Sequence, residues 1–222
     1  KSLLPVENFS ETLDKVYQEF ETTVRFKQYK SFSVANKVPY ADLKSAMGQL
    51  NEVRKNEGLL NKEVFKSAYL FNEFNPVVVG NVLVPEALEI CQRYFEKHIG
   101  NGCFVLGDRQ SQRFKAHNEA LTRVLQYEIQ PIIEHILKFK VKPTYTYLSH
   151  YVKGSDLPPH TDRSDCEFTV SMLINKPKGA KWNIYVDKKK QPVKHKGRYK
   201  TTPKISNCIP VDCEANSFMM FS

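Results

Sequence analysis

The chain has 222 residues and a formal net charge of +9 at pH 7, with 33 basic and 24 acidic side chains. Hydrophobic residues make up 41% of it, which is ordinary for a globular protein and enough for a core. No apolar run approaches the roughly 20 residues of a membrane-spanning helix, so we expect a soluble protein with no membrane partner. The five cysteines show no paired spacing, which favours reduced thiols and a cytoplasmic location.

The N-terminal part of the chain is predicted to be helical. Ser10 is a candidate N-cap of a first helix. After Pro39, apolar residues recur at spacings of three and four, as on the buried face of a helix. We assign residues 1–75 to a helical N-terminal extension and residues 76–222 to the main domain.

Two longer helices are predicted in the middle of the chain, after a short Val-rich strand. The first has Pro85 in its first turn and ends at Gly100. The second begins near Asn118, and Pro131 is expected to kink it or to split it in two. Their apolar stripes indicate core packing and no function.

From Lys142 onwards the hydrophobic pattern takes the period of two that is typical of β-strands. In PTYTYLSHYV (143–152), this period places Tyr145, Tyr147 and Tyr151 on one face. Further strands are predicted at CEFTVSMLIN (166–175), KWNIYVD (181–187) and SFMMF (217–221). Strands that follow a helical block indicate an α+β fold in which the strands form a sandwich or barrel.

Residues 188–204 form a Lys-rich stretch that carries much of the positive charge. The simplest interpretation is a solvated loop between strands. The alternative is an electrostatic contact for nucleic acid or for an acidic protein. Tyr199 is the only aromatic residue available there for base stacking.

A histidine and a carboxylate lie two positions apart in the segment before the predicted strand CEFTVSMLIN (166–175). In an extended chain, residues i and i+2 point the same way, so His160 and Asp162 can present an imidazole and a carboxylate to one point. Such a pair supplies two of the three ligands in the 2-His-1-carboxylate site of non-haem Fe(II) oxygenases. A turn in which Asp162 accepts bonds from local backbone N–H groups has the same residues, so the spacing alone leaves both interpretations open.

The surrounding sequence favours the metal site. YTYLSHYVKGSDLPPHTDRSDCEFTVSMLIN (145–175) resembles the 2-oxoglutarate and Fe(II)-dependent dioxygenase superfamily, in particular its prolyl-hydroxylase-like branch. KWNIYVD and ANSFMMFS resemble later strands of that branch, so the resemblance covers about residues 76–222. It implies a double-stranded β-helix (jelly roll) with helices packed outside. It also implies a hydroxylase that uses Fe(II), 2-oxoglutarate and O₂, and that releases succinate and CO₂ while oxidising an unidentified substrate.

The resemblance also implies roles for individual residues. His160 and Asp162 correspond to the first two iron ligands and are the expected catalytic residues. Tyr151 and Tyr147 correspond to strand positions that line the co-substrate pocket. An Asp at position 162, where halogenating relatives have Gly or Ala, favours hydroxylation.

The remaining ligands of the family's site are expected outside the chain. In the family, the second iron histidine and the basic residue that pairs with 2-oxoglutarate follow the strand that matches SFMMFS. We therefore expect both beyond Ser222, with the C-terminal end of the domain missing, and His195 is the only internal substitute. One alternative function is a catalytically silent jelly-roll module that binds nucleic acid or an acidic protein through the loop 188–204. A cupin-like hydrolase or isomerase is another, although cupin sites usually gather more histidines.

Overall fold

The computed structural model describes residues 38–72, 75–108, 110–162, 166–189 and 204–222. The helix predicted after Ser10, His195 and residues 190–203 of the Lys-rich stretch lie outside this part of the chain. The described part contains three α-helices and eight strands: α1 (Tyr40–Asn56), β1 (Val77–Val79), α2 (Pro85–Gly100), β2 (Val105–Leu106), β3 (Arg113–His117), α3 (Ala120–Leu137), β4 (Tyr147–Tyr151), β5 (Thr169–Leu173), β6 (Asn183–Asp187), β7 (Cys208–Asp212) and β8 (Ser217–Phe221).

All strand pairs are antiparallel, and they form three sheets with the orders β1–β8–β5, β2–β3–β4 and β6–β7. Helices and antiparallel sheets confirm the predicted α+β class. Within the described residues, the three sheets do not join into a closed barrel. None of the helices in this part of the chain is both long enough and apolar enough to span a membrane.

Strand β8 is the middle strand of sheet β1–β8–β5 and is buried on both faces. Phe218 and Met220 share an apolar cluster with Ile132 of α3. Met219, which points the opposite way, clusters with Val211 of β7. The apolar run SFMMF is therefore what a strand covered on both sides requires, and it produces layers of helix α3, sheet β1–β8–β5 and sheet β6–β7.

Helices α1 and α2 form a second apolar core together with the first half of α3. Leu43 and Leu50 of α1 and Ala87 of α2 are almost completely buried there. Leu148 of β4 and Met172 of β5 pack against the same cluster. The described part of the predicted extension 1–75 thus shares its core with the main domain.

Two details of the predicted organisation change. Pro131 is predicted to kink α3 or to split it in two, and the split is wrong, because α3 runs unbroken from Ala120 to Leu137. Pro131 is exposed, while the apolar side chains on the other side of the helix, including Ile132, hold it against β8. The chain before residue 140 is also less helical than predicted, because the hairpin β2–β3 lies between α2 and α3.

Asn216 connects β8 to the segment that precedes α2. Its side chain accepts a hydrogen bond from the N–H of Leu83 (2.8 Å) and donates one to the Leu83 carbonyl (2.9 Å). Its backbone N–H donates to the carbonyl of Leu173 at 2.8 Å, and its carbonyl accepts from the N–H of Val82 at 3.0 Å. With φ at 65°, Asn216 has the left-handed backbone conformation that Asn and Gly adopt most readily.

Two substitutions of Asn216 should separate two contributions to the free energy of unfolding: the hydrogen bonds of its side chain and the positive φ of its backbone. We expect Asn216→Gly to lower the free energy of unfolding by roughly 1–3 kcal/mol, because the buried N–H and carbonyl of Leu83 lose their partner. Asn216→Ala should cost about 1 kcal/mol more, because Ala disfavours positive φ. Urea unfolding of both variants measures this difference, and a Gly variant as stable as the parent would contradict the role of the side chain.

Candidate functional site

His160 and Asp162 lie side by side between β4 and β5. The Nε2 atom of His160 is 3.9 Å from Oδ1 of Asp162. Nδ1 of His160 lies 2.9 Å from the carbonyl oxygen of Pro158. A carbonyl can only accept, so Nδ1 carries the proton of this bond, and in the neutral ring Nε2 presents its lone pair. The side chains are 28% and 32% exposed, so the pair is accessible from solvent.

Asp162 is held in place by β5. The hydroxyl of Thr169 donates a 2.6 Å hydrogen bond to Oδ2 of Asp162, while Oδ1 is the oxygen nearer to His160. Metal-ligating side chains are commonly oriented in this way by hydrogen bonds to their outer atoms. The backbone N–H groups of residues 163–165, which an Asp-capped turn would use, lie outside the described residues.

The pair is suited to a metal ion. Imidazole and carboxylate are both ligands of non-haem Fe(II). The Nε2 and Oδ1 atoms are 3.9 Å apart, whereas two ligands with bonds of about 2.1 Å at right angles lie roughly 3 Å apart. The two side chains would therefore have to move closer by about 1 Å to hold one ion as neighbouring ligands. Where the structure describes the chain, no group of three His, Cys, Asp or Glu side chains is placed to hold a metal ion. The third ligand expected beyond Ser222 and the substitute His195 both fall outside that part.

Tyr147 and Tyr151 belong to a different cluster, which is centred on Arg113. In the register of β3 and β4, Arg113 lies opposite Tyr151, and His117 lies opposite Tyr147. A guanidinium N–H of Arg113 donates to the Tyr151 hydroxyl at 2.7 Å. The guanidinium carbon is 4.9 Å from the ring centre of Tyr147 and 5.5 Å from that of Tyr151. Arg113 is only 6% exposed, so its charge is buried between the two rings.

Asp108 neutralises this buried charge and also holds Tyr147. Its Oδ2 atom accepts from Nε of Arg113 at 3.1 Å and from the Tyr147 hydroxyl at 2.9 Å. Its Oδ1 atom accepts from the backbone N–H groups of Gln110 and Ser111 at 2.7 and 2.8 Å. Burial alone raises the pKa of Asp108, but these bonds and the charge of Arg113 outweigh it and lower the pKa to about 2. Burial, followed by the bond to Asp108, raises the pKa of Tyr147 to about 12.

The His160–Asp162 pair and the Arg113 cluster are separate. Among the described residues, no hydrogen bond, ion pair or ring contact joins them directly. The ring of Tyr151 instead packs against Trp182, which precedes β6, with 5.1 Å between the ring centres. A polar pocket of about 290 Å³ lies on the Asp108 side of the cluster, lined in part by Asp108, Gln112, Ser155 and Asp156.

Arg113 and Asp108 were missed by the sequence analysis. Strand β3 has the sequence RFKAH, in which Arg113, Lys115 and His117 alternate with Phe114 and Ala116. This alternation of basic and apolar residues is a strand signal, but it is short and lies between two strongly periodic helices. Asp108 precedes β3 in the hairpin connection and has no sequence signal of its own.

Comparison with known proteins gives no assignment, since no protein-family model, no curated protein and no solved structure matches the chain. The resemblance to the dioxygenases therefore stays a prediction, and the function has to be inferred from the residues themselves.

The low pKa of Asp108 predicts how stability depends on pH. The folded-state pKa of about 2 lies below the unfolded value of about 3.9, so ionised Asp108 stabilises the fold at pH above about 4. This contribution of roughly 2 kcal/mol should be lost as the pH falls from about 4 to about 2. Urea unfolding across this range should show the loss in the parent and a flatter profile in Asp108→Asn.

At pH 7, Asp108→Asn should be destabilised by roughly 3–5 kcal/mol, because Arg113 is left buried without its counter-charge. Asp156→Asn is the matched control, since Asp156 is exposed. If the free energy of unfolding of Asp108→Asn fell between pH 4 and pH 2 as steeply as that of the parent, the loss of stability could not be assigned to Asp108.

Proposed function

We propose that the protein is an Fe(II)- and 2-oxoglutarate-dependent oxygenase of the hydroxylase type, acting on an unidentified substrate. The observation that carries the proposal is the pairing of His160 with Asp162, whose Nε2 and Oδ1 atoms are 3.9 Å apart. Their other polar atoms are occupied by the carbonyl of Pro158 and the hydroxyl of Thr169. His160 and Asp162 would supply two protein ligands of the iron. A further histidine, from a part of the protein outside the described residues, would supply the third.

The protein's own contribution to such a reaction is binding and orientation. Bound Fe(II), with O₂, supplies the oxidising chemistry that converts 2-oxoglutarate to succinate and CO₂ and hydroxylates the substrate. His160 offers a neutral nitrogen ligand, and Asp162 offers a negative charge whose direction is fixed by Thr169. Tyr151 would line the 2-oxoglutarate pocket, and Tyr147 would support it on the same face of β4.

We further infer that the strands belong to a jelly roll. Sheets β1–β8–β5 and β6–β7 pack face to face through the cluster that contains Met219 and Val211, as the two sheets of a sandwich do. Helix α3 covers the outer face of the first sheet. Among the described strands, β4 and β5 each keep one unpaired edge. Additional strands of a jelly roll would pair at these edges.

The setting and partners of the enzyme are also proposals. All five cysteines are free thiols, which supports a location in the reducing cytoplasm. The Lys-rich stretch 188–204 is a proposed contact for an acidic substrate or partner. If the protein were instead a silent binding module, its binding to nucleic acid or an acidic protein would weaken steeply with salt and would not depend on His160.

Loss of either proposed ligand should abolish activity. We expect His160→Ala and Asp162→Ala to lose Fe(II) binding and the Fe(II)-dependent formation of succinate from 2-oxoglutarate, because two remaining ligands hold the ion far less firmly than three. The fold should persist, since both side chains are partly exposed. His150→Ala and Asp156→Ala are matched controls, because both residues are exposed. Succinate formation by His160→Ala at the parental rate would refute the proposal.

The bond from Thr169 to Asp162 generates a separate prediction. Thr169→Val removes the donor but keeps the shape, so Asp162 loses its support, and the affinity for Fe(II) should fall by roughly 10- to 100-fold. Thr169→Ser keeps a hydroxyl and should recover most of this affinity. Anaerobic titration with Fe(II) measures both variants. Equal affinities of Thr169→Val and the parent would show that the hydroxyl does not orient a metal ligand.

A further inference from the structure

We infer that Cys103 is a site of oxidative modification, at which His98 and Asp42 activate the thiol towards a small neutral oxidant of the peroxide class. The inference does not depend on the proposed function, and it uses none of the residues to which that function assigns a role. It gives a role to a buried histidine whose Nε2 atom has no hydrogen-bond partner among the described residues.

The end of helix α2 folds Cys103 back onto His98. Gly102, with φ at 66°, has the left-handed conformation that is common just after a helix. Its N–H donates to the carbonyl of Ile99 at 3.1 Å, and the N–H of Cys103 donates to the carbonyl of His98 at 2.9 Å. These are the two hydrogen bonds of a Schellman motif. The motif brings the thiol beside a ring that lies five positions earlier in the chain.

The ring of His98 lies between the thiol and a carboxylate. Sγ of Cys103 is 3.6 Å from Nδ1 of His98, and Oδ2 of Asp42, in α1, is 3.7 Å from Nε2. One metal ion cannot bind all three groups, because the thiol and the carboxylate face opposite nitrogens of the ring. The order is instead that of a nucleophile, a base and a group that orients the base.

The surroundings of His98 determine where its proton lies. Burial lowers the pKa of His98 more than the charge of Asp42 raises it, so the ring is neutral at pH 7. The Asp42 carboxylate, which Lys97 holds at 3.0 Å, can only accept, so it favours the proton on Nε2. Nδ1 then presents its lone pair to the thiol and can accept the thiol proton. An edge-to-face contact with Tyr94, with 4.7 Å between the ring centres, restricts the orientation of the ring.

The modification is a two-electron oxidation of sulfur. The sulfur of Cys103 attacks one oxygen of hydrogen peroxide while His98 accepts the thiol proton. The O–O bond breaks, and the leaving hydroxide takes that proton and departs as water. Sulfur is oxidised to a sulfenic acid, and the peroxide is reduced. The oxidant has to be small, because Cys103 is only 6% exposed, although its neighbours Asn101 and Gly102 in the turn are exposed.

Two other cysteines provide a comparison within the same protein. Cys208 and Cys213 are each 8% exposed, slightly more than Cys103. Burial raises the pKa of both thiols, and among the described residues no hydrogen bond joins either of them to a histidine. If exposure alone decided reactivity, all three thiols would be oxidised at similar rates. Activation by His98 predicts that Cys103 is oxidised first.

Timed oxidation by hydrogen peroxide tests the inference in the full chain with Cys166→Ser, which removes the more exposed thiol. After treatment at pH 7, catalase removes the peroxide, the protein is unfolded, and alkylation with mass spectrometry measures the thiol left at each cysteine. We expect the Cys103 thiol to be lost roughly tenfold faster than those of Cys208 and Cys213, because reactivity follows thiolate formation. Equal rates at the three positions would overturn the inference.

Two variants separate activation from packing. His98→Gln removes the base and should slow the oxidation of Cys103 roughly tenfold or more. A histidine that only fills space would have the opposite effect, because looser packing exposes the thiol and speeds its oxidation. Asp42→Asn removes the orienting charge at a partly exposed position and should slow the oxidation by a smaller factor. Asp156→Asn, at an exposed position, is its control and should keep the parental rate.

His98→Gln changes a side chain that is almost completely buried, so circular dichroism has to show first that this variant folds. A parental or faster oxidation of Cys103 in folded His98→Gln overturns the inference. If His98→Gln does not fold, Asp42→Asn decides, and a parental rate in that variant overturns the inference. Slower oxidation in His98→Gln with a parental rate in Asp42→Asn supports His98 as the base and removes Asp42 from the inference.

Discussion

The burial of β8 on both faces is the constraint on which the rest of the structure depends. Phe218 and Met220 must face α3, and Met219 must face β7. A shift of one residue would exchange the two sets of side chains. Phe218 and Met220 would then face sheet β6–β7, and Ser217, Met219 and Phe221 would face the helix. Asn216 fixes the strand against such a shift, because its side chain pairs with both backbone groups of Leu83. Helix α3 and the sheets β1–β8–β5 and β6–β7 therefore take their positions from one short segment.

The candidate metal pair takes its position from the same strand. Strand β5 pairs with β8 so that Thr169 lies opposite Phe221, and the Thr169 hydroxyl then holds Asp162. His160 is oriented independently, by the carbonyl of Pro158. One proposed ligand is therefore coupled to the core through a single hydroxyl, whereas the other depends on local backbone geometry. We expect changes in the core that displace β5 to shift the Asp162 carboxylate more than the His160 ring.

Sequence patterns could predict the features that depend on residues close together in the chain. The pairing of His160 with Asp162 follows from an i, i+2 spacing, and the strand SFMMF follows from an apolar run. The Arg113 cluster could not be predicted in this way, because Arg113 and Tyr151 are 38 positions apart and meet only through the pairing of β3 with β4. A strand as short as RFKAH is specified by its partner more than by its own composition. A third iron ligand is predicted only from the resemblance, at positions that the described residues do not include.

The two clusters differ in how their charges are balanced, and this difference limits what each can do. The buried charge of Arg113 is matched by Asp108 at 3.1 Å, so this cluster is neutral overall and offers a ligand hydrogen bonds rather than a free positive charge. The His160–Asp162 pair is partly exposed and, with a neutral imidazole, has a net negative charge that attracts a cation. If the protein binds 2-oxoglutarate, the charge of this co-substrate has to be neutralised by the metal ion or by another basic residue. Arg113 cannot supply that charge without giving up Asp108, because burying an unpaired carboxylate would cost more than the new contact gains. Under the proposed function, the basic partner of 2-oxoglutarate would therefore come from elsewhere in the protein.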